Sequence, residues 1–214
     1  MSRKRVAVLI SGRGSNMAAL IEAAKDNSYP AEIALVLSNK ADAGGLVTAR
    51  DNGIATEVVD HKQFGKDRAA FDAAMQSKLE AHRIDLVCLA GFMRLLSSGF
   101  VGLWQHRMLN IHPALLPAFK GLDTHRRAIE AGATIHGATV HFVVAEMDAG
   151  PIIMQGAVAV RPGDTEAALS ARVLAVEHRI YPAALRLVAE NRVSVVGDHC
   201  LIDGAPVPDA AASA

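Results

Sequence analysis

Apolar and polar positions fall into blocks along this chain, and the blocks follow two different periods. Val6-Ala7-Val8-Leu9-Ile10 is a continuous apolar run, Ile33-Ala34-Leu35-Val36-Leu37 is a second, and Leu86-Val87-Cys88-Leu89-Ala90 is a third. Between them apolar residues recur at helical spacing: Met17, Leu20 and Ile21 after the first run, a stretch near Leu46 to Asn52 after the second, and one near Phe71 to His82 before the third. Runs that are apolar on both faces and alternate with helices predict a parallel sheet covered on both sides. A short strand at Glu57-Val58-Val59 completes a nucleotide-binding half. After Met108-Leu109-Asn110-Ile111 the texture changes. Gly137 to Val144 and Pro151 to Val160 read as longer strands joined by a short polar segment, so a mixed or antiparallel second half is expected. Gly163-Asp164-Thr165 opens a long helix with Leu169, Val173, Val176 and Ile180 on one face, which Pro182 is expected to kink or interrupt. The fold class expected is α/β and Rossmann-like, a parallel N-terminal half continuing into a mixed or antiparallel C-terminal half of one sheet. It forms a single domain over 1–204, with halves of about 1–105 and 106–204. The Pro/Ala-rich tail, 205–214, is expected to fray.

Composition narrows the ligands more than the fold. With 214 residues and 51% hydrophobic content the chain can bury a sizeable core. Its formal net charge of zero provides no global positive field for nucleic acid or an anionic membrane, so any anionic ligand must be held locally. There are two cysteines, Cys88 inside an apolar run and Cys200 near the tail, and they form neither a disulfide framework nor a CxxC pattern. The basic start, Met1 to Arg5, leads into a short apolar run that ends in Ser11-Gly12-Arg13-Gly14. That is a strand entering a polar loop rather than a signal peptide or membrane span, and a cytoplasmic location is expected.

Two local patterns carry candidate chemistry. Ser11-Gly12-Arg13-Gly14-Ser15-Asn16 lies between the first strand and its helix, where small residues let backbone N–H groups approach an anion. The same pattern also suits an ordinary tight turn capped by Ser15 or Asn16. Met17 stands where a dinucleotide fingerprint needs its third glycine, and the second strand ends in Ser38-Asn39 without an acid for a ribose. A single phosphate, as in a phosphoribosyl compound, fits better than NAD or ATP. In Asn110-Ile111-His112-Pro113, alternation at a strand end places Asn110 and His112 on one face. A histidine that moves protons near neutral pH beside an amide that can donate to an oxyanion suits acyl transfer. A turn-capping Asn and a structural His remain the alternative. Asp148, in the Gly-flanked loop Met147-Asp148-Ala149-Gly150, is placed to orient His112, or else is a plain turn aspartate. His112, His141 and Asp148 match no standard zinc spacing, there is no HExxH or GxSxG motif, and neither cysteine has an evident histidine partner.

Taken together, VLISGRGSN, SNKADAGGL, LAGFMRLL, LNIHPALLPAFKG, HGATVHFV and MDAGPIIMQ resemble the glycinamide ribonucleotide formyltransferases of purine synthesis, from the first strand to about Asn191. The Asn-x-His-Pro-x-Leu-Leu-Pro segment is shared by the wider folate formyl-transfer superfamily, whereas Gly-Ser-Asn after the first strand looks like the glycinamide ribonucleotide enzymes. The chain also lacks room for the extra domains of the tRNA formyltransferase or the deformylase. The resemblance implies 10-formyltetrahydrofolate as co-substrate, catalytic roles for Asn110, His112 and Asp148, and no metal. It implies that Gly14, Ser15, Asn16 and Glu177 bind glycinamide ribonucleotide. Arg68, Met93, Arg94, Leu95, Leu96 and Asn110 match folate-contacting positions, as does the wall Val144, Ala145, Glu146, Met147 and Asp148. Asp123 occupies a position where some relatives carry histidine and receives no role; His125 and His141 match family histidines standing behind the site. The expected partners are the two small-molecule substrates, without nucleic acid or membrane, in a monomer or homodimer. The rival readings are a formyltetrahydrofolate hydrolase, a non-catalytic sensor of a phosphate ligand, and a metal-dependent hydrolase.

Overall fold

The first apolar run forms β1 (Lys4–Ile10), whose last five residues are buried. β2 (Ala31–Ser38), β3 (Ala55–Val58), β4 (Leu86–Leu89) and β5 (Met108–His112) follow in the same direction. Their order across the sheet is β3-β2-β1-β4-β5. Residues such as Val8, Leu9, Val36 and Val87 are fully buried, as expected of parallel strands whose two faces are both covered. The computed structural model describes residues 3–207 and the backbone of 211–212. Contacts divide the chain into two units, Met1–Asn110 and Ile111–Ala214.

In the first unit the crossovers are α1 (Ser15–Ala24), α2 (Gly45–Asp51) and α3 (Arg68–Ala81), with a 3₁₀ turn at His61–Phe64 and a short α4 (Ser98–Leu103). Because β1 pairs with β2 on one side and β4 on the other, the strand order reverses beside β1. The loops leaving the carboxyl ends of β1 and β4 therefore flank the crevice that such sheets use for ligands.

The second unit contains α5 (Thr124–Glu130), β6 (Ile135–Phe142) and β7 (Ile152–Ala159), the last two antiparallel. α6 (Glu166–Ala189) packs on both strands, and its buried face runs through Leu169, Val173, Val176, Ile180, Ala184 and Leu185. Of the two outcomes expected at Pro182, a kink or an interruption, the interruption does not occur, and α6 runs continuously through it. Proline removes one backbone N–H, and the apolar face buried on either side of it holds the helix together across that loss. A hairpin of β8 (Val193–Val196) and β9 (His199–Ile202) carries β10 (Ala205–Pro206) at its edge, and β11 (Ala211–Ala212) runs parallel to β7. The rest of the tail expected to fray includes 208–210 and 213–214, which lie outside the described residues. Among the described residues no helix is long and apolar enough to cross a membrane.

Candidate active site

β1 delivers the glycine loop. Gly14 is the N-cap of α1 in the left-handed region (φ 72°), and no side chain caps the helix. A turn closed by Ser15 or Asn16 as N-cap is therefore not what forms. The loop is buttressed from below by Gly45, whose N–H donates to the Gly12 carbonyl at 3.0 Å. A Cβ on Gly45 would lie 2.5 Å from Ile10 Cδ1 and 3.2 Å from the carbonyl oxygens of Gly12 and Arg13, so only glycine allows this approach. With Gly14 as N-cap and no side chain capping the helix, the start of α1 is the kind of end where backbone N–H groups and the helix dipole favour an anion.

β4 delivers the second loop. Met93 and Leu95 are 64% and 60% exposed, unusual for side chains of this size and consistent with a surface that receives an apolar ligand. Arg68, the first residue of α3, lies with Arg94, Leu95, His61, Phe64 and Lys66 around a cavity of about 280 Å³. The residues expected to contact folate in this unit are thus a basic and apolar wall.

β5 carries Asn110 and, two residues on, His112, which is 5% exposed. In the second unit His112 Nε2–H donates to the Phe119 carbonyl at 3.0 Å, and its Nδ1 stands 3.5 Å from Asp148 Oδ2. Both ring nitrogens therefore face acceptor oxygens, and imidazolium is the form in which both can donate. Asp148 sits in the left-handed region (φ 53°), and its Oδ2 also accepts the Gly121 N–H at 2.8 Å. Its Oδ1 lies 3.9 Å from His141 Nε2. His141 Nδ1–H donates to the Phe142 carbonyl at 2.9 Å, and burial holds this histidine below the usual range although that carbonyl and Asp148 oppose the effect. Burial thus favours the neutral form of His141, while Asp148 Oδ2 faces His112 Nδ1.

Behind His112 stand two more histidines. His136 is 1% exposed and makes edge contacts with the rings of Phe119 and His125, at 5.8 and 5.3 Å. Burial, reinforced by His125, lowers its pKa to about 4. His125 is lowered as well, mainly by burial. The loop carrying Val144, Ala145, Glu146 and Met147 is tied to its neighbour by Lys120 Nζ and Glu146 Oε1 at 3.0 Å, and Met147 is 54% exposed. Among the described residues no group of three or more His, Cys, Asp or Glu side chains is arranged to hold a metal ion.

Two backbone contacts escaped the sequence reading. Phe119 and Gly121 act through their backbones, which no side-chain pattern reveals. Glu177, which the resemblance assigns to glycinamide binding, is 6% exposed on the buried face of α6.

Residues 4–185 match the family model described as formyl transferase. The chain belongs to that family. It is 45% identical to the phosphoribosylglycinamide formyltransferase of Escherichia coli over 203 residues, covering 95% of each chain. It is 53% identical to the human trifunctional purine biosynthetic protein adenosine-3 over 193 residues, 90% of this chain, and spans about a fifth of that relative's length (19%). The crystal structure of glycinamide ribonucleotide transformylase 1 from Symbiobacterium toebii superposes with a TM-score of 0.90 at 46% identity, covering 94% of each chain. The Rossmann-like α/β fold, parallel first and antiparallel later, is thus the fold of this family.

Proposed function

We propose that this member of the formyl transferase family moves the formyl group of 10-formyltetrahydrofolate to the amine of glycinamide ribonucleotide, as a cytoplasmic monomer or homodimer. The observation that carries the reading is the His112–Asp148 pair at 3.5 Å, with His112 on the strand that also bears Asn110, in a chain that aligns with 95% of a phosphoribosylglycinamide formyltransferase.

Gly14, Ser15 and Asn16 hold the substrate phosphate at the start of α1, and Glu177 meets the glycinamide. Arg68, the stretch Met93 to Leu96 and the wall Val144 to Asp148 hold the folate, with Asn110 beside its reactive end. The glycinamide nitrogen attacks the formyl carbon and a new C–N bond forms. The carbonyl oxygen becomes an oxyanion that accepts hydrogen bonds from the Asn110 amide and from His112. Nε2–H is at that moment offered a charged acceptor in place of the neutral Phe119 carbonyl. Asp148 offsets the charge on the ring. The bond from carbon to N10 then breaks, and the proton lost by the attacking amine passes to N10 through a bound water. No covalent enzyme intermediate or metal takes part in this sequence.

Mixing the protein with glycinamide ribonucleotide and 10-formyltetrahydrofolate is expected to yield N-formylglycinamide ribonucleotide and tetrahydrofolate in equal amounts. Release of formate at a comparable rate without the acceptor would replace this reading with a hydrolase.

A further inference from the structure

The loops at the carboxyl ends of β1 and β4 are joined by one side chain. Ser11, the first residue after β1, is 7% exposed, and its Oγ accepts the Met93 N–H at 2.8 Å. The same hydroxyl donates to Asn39 Oδ1 at 2.5 Å. Asn39, just beyond β2, is 1% exposed, and His61 Nδ1 lies 2.9 Å from its carbonyl oxygen and 3.1 Å from its Nδ2. His61 belongs in turn to the wall of the cavity that holds Arg68, Arg94 and Leu95. At its far end the β4 loop is held again: Asp72 Oδ2, on a residue 3% exposed, accepts the Ser97 N–H at 2.8 Å. The stretch between, Met93 to Leu96, leaves Met93 and Leu95 largely exposed, so these two anchors hold a segment that presents apolar side chains outward.

We propose that Ser11, seated between Asn39 and the Met93 amide, is a positioning residue that sets the folate-receiving loop against the phosphate loop. The hydroxyl suits this task because it donates and accepts at once, which neither alanine nor a carboxylate does. Its acceptor lone pair serves the loop after β4, its proton serves the residue after β2, and its own backbone leads into Gly12 to Asn16. Three strand ends at the point where the sheet order reverses are thereby fixed by a single buried group. Loss of the hydroxyl leaves the part-buried Met93 N–H without its acceptor, and the loop then loses the one conformation that is ready to bind.

This inference rests on the folate assignment proposed above, and the test separates the two. The variant Ser11→Ala and the conservative Ser11→Thr are compared with the wild type in three readouts: deuterium exchange at the Met93 amide, tetrahydrofolate binding by calorimetry, and the KM of each substrate. In Ser11→Ala the Met93 amide is expected to exchange at least about tenfold faster, and the tetrahydrofolate Kd and the folate KM to rise about tenfold, the KM for glycinamide ribonucleotide changing less than about threefold. Ser11→Thr, which keeps the hydroxyl, restores most of the protection and affinity. Equal changes in both KM values with a lowered Tm, or unchanged Met93 exchange, would overturn the inference and leave Ser11 as a part of the general framework. If the wild type itself bound no tetrahydrofolate, the folate assignment would fall, while the exchange result would still report on the Ser11 anchor.

Discussion

Acid should destabilise this protein in part through His136. The side chain is 1% exposed, neither ring nitrogen has a well-formed hydrogen bond, and the Pro113 carbonyl offers only a partial one, so burial dominates its titration. Its pKa is lowered from 6.5 to about 4. The folded state thus favours neutral His136, and as the pH falls below 6.5 the unfolded chain takes up the proton first. The stabilisation is complete above that pH and is lost on the way down to about 4. At about 1.4 kcal/mol per pH unit, the loss from this group is on the order of 2 kcal/mol by pH 4.5. His125, His141 and His178 are all lowered by burial and act in the same sense. Urea unfolding of the wild type and of His136→Phe, which preserves an aromatic ring between Phe119 and His125, should be compared at pH 7 and 4.5 and fixed ionic strength. The stability difference between the two pH values is expected to shrink by about 2 kcal/mol in the variant, leaving a residue from the other histidines. An identical pH dependence in both proteins would refute the burial argument.

Asp148→Asn keeps an oxygen for the Gly121 N–H but removes the charge facing His112, so turnover should fall about 100-fold with little change in Tm, as steady-state kinetics and a melting curve would show. A pure loss of stability without a change in turnover would mark Asp148 as a turn residue. Gly45→Ala drives a methyl towards Ile10 and the carbonyls of Gly12 and Arg13; it should cost about 1–3 kcal/mol by denaturant unfolding and raise the KM for the phosphate-bearing substrate more than that for the folate.

What could be read from the sequence followed the length and regularity of each signal. The apolar runs at Val6 to Ile10, Ile33 to Leu37 and Leu86 to Ala90 are buried on both faces, and that is why they stand out as β1, β2 and β4. The antiparallel pair β6 and β7 was visible because only a short segment joins two long strands. α4 and α5, of six and seven residues, contain too few turns to show a period. The strands of the final hairpin, four residues each, are half exposed and carry no continuous apolar run. Asn110, His112 and Asp148 drew attention through residue type, whereas the Phe119 carbonyl on His112 depends on a backbone in the left-handed region (φ 55°) that no residue type announces. Ser11 looked like the mere start of a polar loop; its bonds reach residues 28 and 82 positions away, a relation that only the folded sheet creates.

In the proposed reaction His112 meets the charge that develops on the formyl oxygen. The most direct measurement is the single-turnover rate of His112→Ala with both substrates saturating, alongside the Kd of each. The expected rate is lower by about 10²–10³, with both Kd values within a few-fold of the wild type. A near-normal rate in a folded variant that binds both substrates would contradict it.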